Sequence, residues 1–318
     1  MTLSIGIDVG GTKIAGGVVD ENGEILEMVR IPTPAKDSQA SIDAASEIVN
    51  ELQTRHDVKA VGIGAPGFIN SDRSEVIFAP NVNWRNEPVA AKVAEKTGLP
   101  VVLENDANVA AWGEFKFGAA KECSSVVIVT VGTGIGGGII LDGKLIRGSH
   151  GFAAEIGHMS LVPDGPLCPC GEYGCWEMYS SGTALVRLAK ERAEKSPATA
   201  AKLLELVAGD IDAIDGKIID QAVAAGDSAA SDCFAEVGKY LGQGMANLAA
   251  ALDPEMFVIS GGVCNSGDFL LKPVREAFET RVTARSLRPL PEIQLAKLGN
   301  LAGLIGAANI ALETEYTA

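Results

Sequence analysis

Two stretches of the sequence decide the fold: residues 3–13, LSIGIDVGGTK, and residues 126–138, VVIVTVGTGIGGG. Each is an apolar run of strand length that ends in a glycine turn carrying a threonine, and further short apolar runs follow across turns. The sequence therefore predicts one strand–turn–strand–turn–strand unit that occurs twice, which is typical of internal duplication. The predicted strands are Leu3–Val9, Ile14–Val19 and Glu24–Ile31 in the first unit, and Ser124–Val131, Ile135–Leu141 and Lys144–Ile146 in the second.

The rest of the chain alternates between helical and strand patterns. This order favours an α/β fold with mixed sheets covered by helices. Ligands in such folds bind at the carboxyl ends of strands, where the glycine turns fall. The predicted helices are Ser41–Leu52, Asn86–Thr97, Asn108–Phe117, Thr183–Lys195, Thr199–Val207, Ile218–Ala225, Ser228–Leu252, Phe269–Thr280 and Leu301–Leu312, and the further strands are Val58–Ile63, Val101–Leu103, Met256–Ser260 and Glu292–Lys297.

Composition excludes several classes of protein. The 318 residues carry a net charge of −15 and no run of Lys or Arg, which argues against a nucleic-acid or anionic-membrane surface. The first residues, MTLSIGIDVGG, lack the features of a signal peptide, and no stretch of 18 apolar residues occurs. We therefore expect a cytoplasmic protein of two domains.

The two glycine turns are candidate phosphate sites. Glycine has no Cβ and tolerates positive φ, so the backbone approaches a phosphate closely. Asp8 at the strand end is placed to hold Mg²⁺ through water, and Thr12 and Lys13 add a hydroxyl and a cation. An ordinary hairpin explains either turn alone, but two turns at the starts of similar units favour nucleotide binding. The candidate phosphate ligands are Asp8, Gly10, Gly11, Thr12 and Lys13, and Gly132, Thr133, Gly134, Gly136 and Gly137.

The segment Glu104-Asn105-Asp106-Ala107-Asn108 lies between a predicted strand and a predicted helix. A carboxylate at a strand end accepts a proton from a substrate hydroxyl in many enzymes. Asn and Asp are also the favoured helix N-caps. The residues alone leave both interpretations open.

A compact cluster of nitrogen and sulfur ligands is the fourth candidate site. His158 precedes Cys168, Cys170 and Cys175, and three of the chain's six cysteines fall within eight positions. Crowded cysteines in a cytosolic protein favour a metal over disulfides. One imidazole and three thiolates form a closed tetrahedral set that suits structural Zn²⁺.

These four features, in this order, resemble the ROK family of repressors, open reading frames and sugar kinases, over essentially the whole chain. The resemblance implies a two-lobed actin/hexokinase-like (ribonuclease H-like) fold with mixed sheets and an interlobe cleft. It implies transfer of the ATP γ-phosphoryl group to glucose, with Asp106 as the base, Gly261 and Gly262 at the adenosine, and Mg²⁺ accompanying ATP. The implied sugar ligands are Gly67, Asn81, Asn105, Asp106, Glu155, His158 and Glu177.

The resemblance also implies the domain organisation and leaves alternatives. We expect a small lobe of residues 1–120 with the helix 301–318, and a large lobe of residues 121–300 that contains the zinc-binding segment 158–175. The first phosphate motif begins at Asp8, which argues against the family's DNA-binding branch. A homo-oligomer, dimer or tetramer, is expected. Kinases for mannose, fructose or N-acetylmannosamine, a polyphosphate-using glucokinase, a sugar-sensing binding protein and an actin-like ATPase stay open.

Overall fold

The computed structural model describes residues 2–34 and 37–317. It divides into two compact units, which are described separately below. The first comprises Met1–Val127, Gly137–Ala154 and Ala296–Ala318, and the second comprises Ile128–Gly136 and Glu155–Leu295. None of the helices in the described part of the chain has the length and apolar character needed to cross a membrane.

The strands and helices follow the chain in this order. The strands are β1 (Leu3–Val9), β2 (Lys13–Asp20), β3 (Ile25–Pro32), β4 (Val58–Ala65), β5 (Phe68–Ile69), β6 (Val76–Ala79), β7 (Trp84–Glu87), β8 (Val101–Asn105), β9 (Val126–Val131), β10 (Ile135–Leu141), β11 (Lys144–Leu145), β12 (Met256–Ser260) and β13 (Glu292–Leu295). The helices are α1 (Ser38–Gln53), α2 (Val89–Thr97), α3 (Asp106–Phe117), α4 (Glu177–Ser180), α5 (Gly182–Lys195), α6 (Ala201–Leu206), α7 (Gly216–Ala224), α8 (Ser228–Leu252), α9 (Asp268–Arg281) and α10 (Ala302–Thr317).

The first unit is built on a mixed five-stranded sheet of order β3-β2-β1-β4-β8. β1 pairs antiparallel with β2 and parallel with β4, and β4 continues parallel to β8. The apolar side chains of β1, such as Ile5 and Ile7, are fully buried and belong to one core with Ile48 of α1 and Trp84. The sheet therefore places the ends of β1, β4 and β8 at one edge.

The last helix, α10, covers this sheet at very short range. A Cβ added to Gly6 of β1 would lie 1.9 Å from the Leu304 carbonyl oxygen, and one added to Gly62 of β4 would lie 1.8 Å from that of Ala307. Only glycine permits such an approach of backbone to backbone. The final helix α10 therefore packs directly on β1 and β4 within the first unit.

The second five-stranded sheet has the order β11-β10-β9-β12-β13. This order matches that of the first sheet position by position, with β9 in the place of β1 and β12 in the place of β4. The outer pairings also correspond, because β10–β11 is antiparallel and β12–β13 is parallel. The internal duplication predicted from the two glycine-turn stretches is confirmed.

One predicted helix begins in the wrong place. We expected a helix over Asn86–Thr97, but the chain forms β7 up to Glu87 and α2 starts only at Val89. Pro88 explains the difference, because the residue before a proline is pushed toward extended backbone. β7 joins β6 and β5 in a small three-stranded sheet that the sequence did not predict, since its strands are two to four residues long. The short helix α4 was also not predicted.

The bounds of the compact units differ from those of the predicted lobes. Residues 137–154 belong with the first unit, whereas the prediction placed all of 121–300 in the second lobe. Arg147 shows the cause, because its guanidinium donates to the carbonyl oxygens of Ser71 (2.7 Å) and Asn70 (2.9 Å) in the first unit. The lobe boundaries stay a prediction.

Candidate functional site

The first glycine turn joins β1 to β2 as a tight hairpin. The Gly10 N–H donates to the Lys13 carbonyl oxygen (2.9 Å), and Val9 faces Ile14 in the register. Thr33 fixes the turn from outside, with its hydroxyl donating to the Gly10 oxygen (2.6 Å) and its N–H to the Thr12 oxygen (3.1 Å). These bonds occupy three carbonyl oxygens of the turn, which favours an anion as the ligand.

Positive φ, one of the two expected reasons for glycine in these turns, does not apply to four of their glycines. Gly10, Gly11, Gly132 and Gly134 do not have positive φ. A Cβ at Gly11 would meet nothing closer than the Asn81 Cβ at 3.7 Å, and one at Gly132 would meet nothing within 4 Å. The fold thus tolerates a side chain at Gly11 or Gly132, and close approach by a ligand is what remains to favour glycine there.

Asp8 is the second-last residue of β1, close to the first turn, and is half-buried. Desolvation raises the pKa of its carboxyl group, and the charge of Lys13 lowers it. A carboxylate is a suitable ligand for Mg²⁺, either directly or through water. A cation next to Asp8 would offset the cost of burying its carboxylate, so Asp8 fits its predicted role in holding Mg²⁺.

The second glycine turn is attached to the start of α5. The Gly182 N–H donates to the Gly132 oxygen (2.7 Å), and the Thr183 hydroxyl donates to the Thr133 oxygen (2.7 Å). The N-cap of α5 is Ser181, whose side chain accepts from the Ala184 N–H. A helix N-terminus therefore adjoins this turn, and such termini favour phosphate.

A cavity of about 800 Å³ opens from the second turn within the second unit. Gly132 and Thr133 lie on its wall with Gly262, which follows β12. Gly261 has φ 94°, and a Cβ there would lie 2.4 Å from the Val131 carbonyl oxygen, so only glycine fits. The structure thus brings the second phosphate turn and the predicted adenosine motif into one pocket.

Sequence reasoning missed most of this cavity. Its lining includes apolar, acidic and basic side chains from α5, from the start of α7 and from the turn after β12. Glycine motifs are visible as patterns, whereas helix side chains that line a pocket carry no local signal. The unpredicted lining residues include Leu185, Val186, Arg187, Lys190, Asp215, Lys217, Asp220, Val263 and Asn265.

Asn105 and Asp106 lie at the start of α3, and Asn105 is the residue that caps the helix. Asn105 is the N-cap of α3, because its side-chain oxygen accepts from the N–H groups of Ala107 (2.9 Å) and Asn108 (3.1 Å). Asp106 is the first residue of the helix and is exposed, and its carboxylate accepts from the Ala107 N–H (2.8 Å). The capping function therefore belongs to Asn105, while Asp106 presents a carboxylate at the sheet edge.

Gly67 is placed directly beside this pair. Its carbonyl oxygen accepts from the Asn105 amide (3.0 Å), and its φ of 86° and a Cβ position 2.1 Å from the Phe78 oxygen require glycine. Asn81 lies beside Gly11, as described above. In the first unit, a hydrogen bond thus joins the predicted sugar residues Asn105 and Gly67, and the predicted sugar residue Asn81 neighbours Gly11 of the first glycine turn.

The Cys/His cluster has the geometry of a four-ligand metal site. The ligand atoms of His158, Cys168, Cys170 and Cys175 all lie within 4.8 Å of one another. Cys170 Sγ is 3.6 Å from Cys175 Sγ, and Cys168 Sγ is 3.7 Å from His158 Nδ1. A tetrahedral site with Zn–S bonds of about 2.3 Å has ligand-to-ligand edges of about 3.8 Å, so the donor set fits Zn²⁺.

Glu177 connects this cluster with the second glycine turn. One carboxylate oxygen lies 3.1 Å from Cys168 Sγ, and the other accepts from the Ile135 N–H (3.3 Å). A Cβ on Gly134 would lie 2.3 Å from that second oxygen, so glycine is needed here to admit Glu177.

The predicted sugar ligand Glu155 starts the turn that leads to His158. Desolvation raises the pKa of the Glu155 carboxyl group, and His158 lowers it. Gly157 of this turn packs against the Ile135 carbonyl, since a Cβ there would lie only 2.1 Å from that oxygen. The second unit therefore holds its predicted sugar ligands, metal cluster and phosphate turn in one continuous set of contacts.

Comparison with known proteins assigns the family. The profile of the ROK family matches residues 4–314. The chain belongs to the ROK family. It is 49% identical over 315 residues to a glucokinase of Streptomyces coelicolor, covering 99% of each protein. The xylose repressor of Bacillus subtilis is 30% identical over 98% of this chain and 77% of the repressor.

Solved structures agree with this assignment. The crystal structure of a ROK family glucokinase from Streptomyces griseus, in complex with glucose and AMPPNP, matches with a TM-score of 0.88 and 49% identity over 98% of this chain and 99% of that one. The ROK hexokinase of Thermus thermophilus matches with a TM-score of 0.81 and 33% identity over the full length of both chains. The predicted α/β fold of the actin/hexokinase type is confirmed.

Proposed function

We propose that this ROK family protein transfers the γ-phosphoryl group of ATP to the 6-hydroxyl of glucose. The observation that carries the proposal is the full-length match, at 49% identity and a TM-score of 0.88, to a glucokinase crystallised with glucose and an ATP analogue. The cavity that joins the second glycine turn to Gly262 has room for a nucleoside beside a phosphate turn. Both turns and Asp106 are intact in this chain.

Asp106 is the proposed base. It accepts the proton of the attacking hydroxyl, and its place as the first residue of α3 lets it act while Asn105 performs the capping. Gly67, Asn81 and Asn105 in the first unit, and Glu155, His158 and Glu177 in the second, are the proposed ligands of the sugar hydroxyls. Phosphoryl transfer depends mainly on positioning and electrostatic stabilisation, so these contacts determine the rate.

The glycine turns hold the phosphates in this proposal. Backbone N–H groups and the Lys13 cation neutralise the phosphoryl oxygens, and the N-terminus of α5 adds a favourable dipole at the second turn. Mg²⁺ beside Asp8 supplies further charge neutralisation when ATP is bound. His158, Cys168, Cys170 and Cys175 would hold a structural Zn²⁺ whose closed ligand set leaves no open position on the metal. His158 Nδ1 faces Cys168 Sγ, so its other ring nitrogen stays available to a sugar hydroxyl.

A substrate screen tests the proposal. Purified protein is assayed with ATP and Mg²⁺ against glucose, mannose, glucosamine, fructose and N-acetylmannosamine, and against polyphosphate as donor. We expect the highest kcat/KM for glucose with ATP, because a pocket that hydrogen-bonds a hydroxyl discriminates strongly against analogues that lack it. A higher kcat/KM with another sugar would reassign the substrate. Absence of turnover with every sugar would instead indicate a sugar-sensing binding protein without kinase activity. Light scattering measures the oligomeric state, for which a dimer or tetramer stays the expectation.

A further inference from the structure

Glu104 is a buried carboxylate at the end of β8, two residues before Asp106. Its side chain is 1% exposed. One oxygen accepts from the Asn105 N–H (2.9 Å) and from the Asn108 amide (3.0 Å). The other pairs with the guanidinium Nε of Arg73 (3.1 Å) and with that of Arg147 (2.6 Å). Four groups from different parts of the first unit thus converge on one side chain.

The two arginines connect Glu104 with the loop between β5 and β6. The remaining guanidinium nitrogens of Arg147 donate to the carbonyl oxygens of Asn70 and Ser71, as described above. The Arg73 carbonyl oxygen accepts from the Leu103 N–H of β8 (2.9 Å). This loop is therefore held against the last residues of the strand that leads into α3.

These contacts fix the backbone on both sides of Asp106. Glu104 holds the N–H of the residue before it and the side chain of Asn108, which lies in the first turn of α3. The Asn105 amide also donates to Gly67. A displacement of Glu104 would consequently move the proposed base and one proposed sugar ligand together.

Stability alone is a weak explanation for this arrangement. A buried ion pair is often no more stabilising than apolar residues of similar volume, because both charges lose their hydration. Positioning explains the arrangement better, because a carboxylate fixed by two guanidinium groups holds the backbone next to Asp106 in one place, and a small misplacement of a reacting group lowers the rate strongly.

We propose that Glu104, held by Arg73 and Arg147, is a positioning residue that sets the location of Asp106 for phosphoryl transfer. This inference rests on the proposed function of Asp106 as the base. Glu104 is buried, and it acts through the peptide of Asn105 and the first turn of α3.

The test is a double-mutant cycle between Glu104→Gln and Asp106→Asn, with kcat and both KM values measured for each protein. Glutamine keeps the shape of Glu104 and removes its charge. We expect Glu104→Gln to lower kcat by about 10²-fold, the typical result of a misplaced group, with the KM for ATP little changed. In the Asp106→Asn background the same change should cost far less, because the residue through which Glu104 acts is already disabled.

Glu114→Gln is the matched control. Glu114 is also a fully buried carboxylate of α3, but it lies at the other end of the helix, where it accepts from the N–H groups of Ala119, Lys297 and Leu298. We expect a lowered melting temperature and a normal kcat. If Glu104→Gln does not fold, Arg147→Lys replaces it in the cycle, because lysine keeps the charge but cannot bond two carbonyls in a fixed fork.

The outcomes separate the two proposals. If Asp106→Asn keeps a normal kcat, the proposed base is wrong, and the positioning role is lost with it. If Asp106→Asn is slowed to a measurable residual kcat, but Glu104→Gln has a normal kcat or lowers kcat by the same factor in both backgrounds, only the positioning role is overturned. An equal loss of kcat in Glu114→Gln would also overturn it, since destabilisation would then explain the effect.

Discussion

Removal of one ligand from the Cys/His cluster tests whether a metal stabilises the second unit. The perturbation is Cys170→Ser, because Cys170 is exposed and its thiol contributes little to the apolar core. Cys123→Ser is the matched control, since Cys123 lies far from the cluster in sequence and belongs to the other unit. A serine hydroxyl is a poor zinc ligand, so the variant keeps three of the four ligands.

The size of the effect follows from the ligand count. A structural zinc site with four ligands contributes about 10–16 kcal/mol of apparent binding free energy, so loss of one ligand costs roughly 3 kcal/mol. The second unit comprises residues 128–136 and 155–295. For a domain of that size, 1 kcal/mol moves the melting temperature by about 2–4 °C. We therefore expect Cys170→Ser to melt about 6–12 °C below the wild type.

Elemental analysis and thermal denaturation with and without EDTA measure this directly. We expect about one zinc per chain in the wild type and in Cys123→Ser, and much less in Cys170→Ser. EDTA should lower the melting temperature of the first two proteins toward that of the third. A wild type without zinc, or one whose melting temperature and activity are unchanged after metal removal, would refute the reasoning and leave the cluster as a group of thiols.

Three further perturbations address the proposed phosphoryl transfer. Asp106→Asn should lower kcat at least about 10²-fold, because the amide cannot accept a proton. Glucose binding measured by calorimetry should be retained. A normal kcat would contradict the assignment of Asp106 as the base. Gly11→Val should raise the KM for ATP more than the KM for glucose, because the side chain would block close approach of a phosphate. The circular dichroism spectrum should be unchanged, because the space around Gly11 accepts a side chain. A change confined to the glucose KM would show that the turn is misassigned. Asp8→Asn, measured without Mg²⁺ or nucleotide, should have a higher melting temperature than the wild type at pH 7 and the same one near pH 3.5. Burial raises the pKa of Asp8, so the folded state holds this proton more tightly than the unfolded state does. Folding stability of the wild type therefore falls as the pH rises above the ordinary aspartate pKa of about 3.9. An equal melting temperature at pH 7 would show that Asp8 does not destabilise the folded protein.

The sequence predicted the sheets well because their signals are local. Runs such as Leu3–Val9 and Met256–Ser260 are mostly apolar, match strands residue by residue, and are followed directly by glycines. Ser228–Leu252 was likewise predicted with its observed bounds, since its apolar spacing lies within the segment and its cap, Asp227, directly precedes it. Element type is therefore predictable where one stretch carries the whole signal.

Features that depend on distant partners were not predictable. The three-stranded sheet β5-β6-β7 forms from very short strands that pair only after the loops between them fold back. The role of Glu104 depends on Arg73 and Arg147, which lie 31 and 43 positions away and carry no motif. The cavity beside Gly262 draws its lining from three elements of the second unit. The cluster at His158 was predictable because all four ligands lie within 18 residues.

The close fit of α10 against Gly6 and Gly62 has a consequence for how the protein is made. Synthesis proceeds from the N-terminus, so β1 and β4 emerge early, while α10 emerges only after the whole of residues 155–295. Until then the glycine-lined face of the first sheet has no helix to cover it, and an uncovered apolar sheet is prone to association with other chains. The first unit therefore cannot complete its packing until the last helix has been synthesised. Slow translation of residues 155–295 lengthens the time for which the first sheet stays uncovered, and with it the risk of aggregation and the need for chaperones.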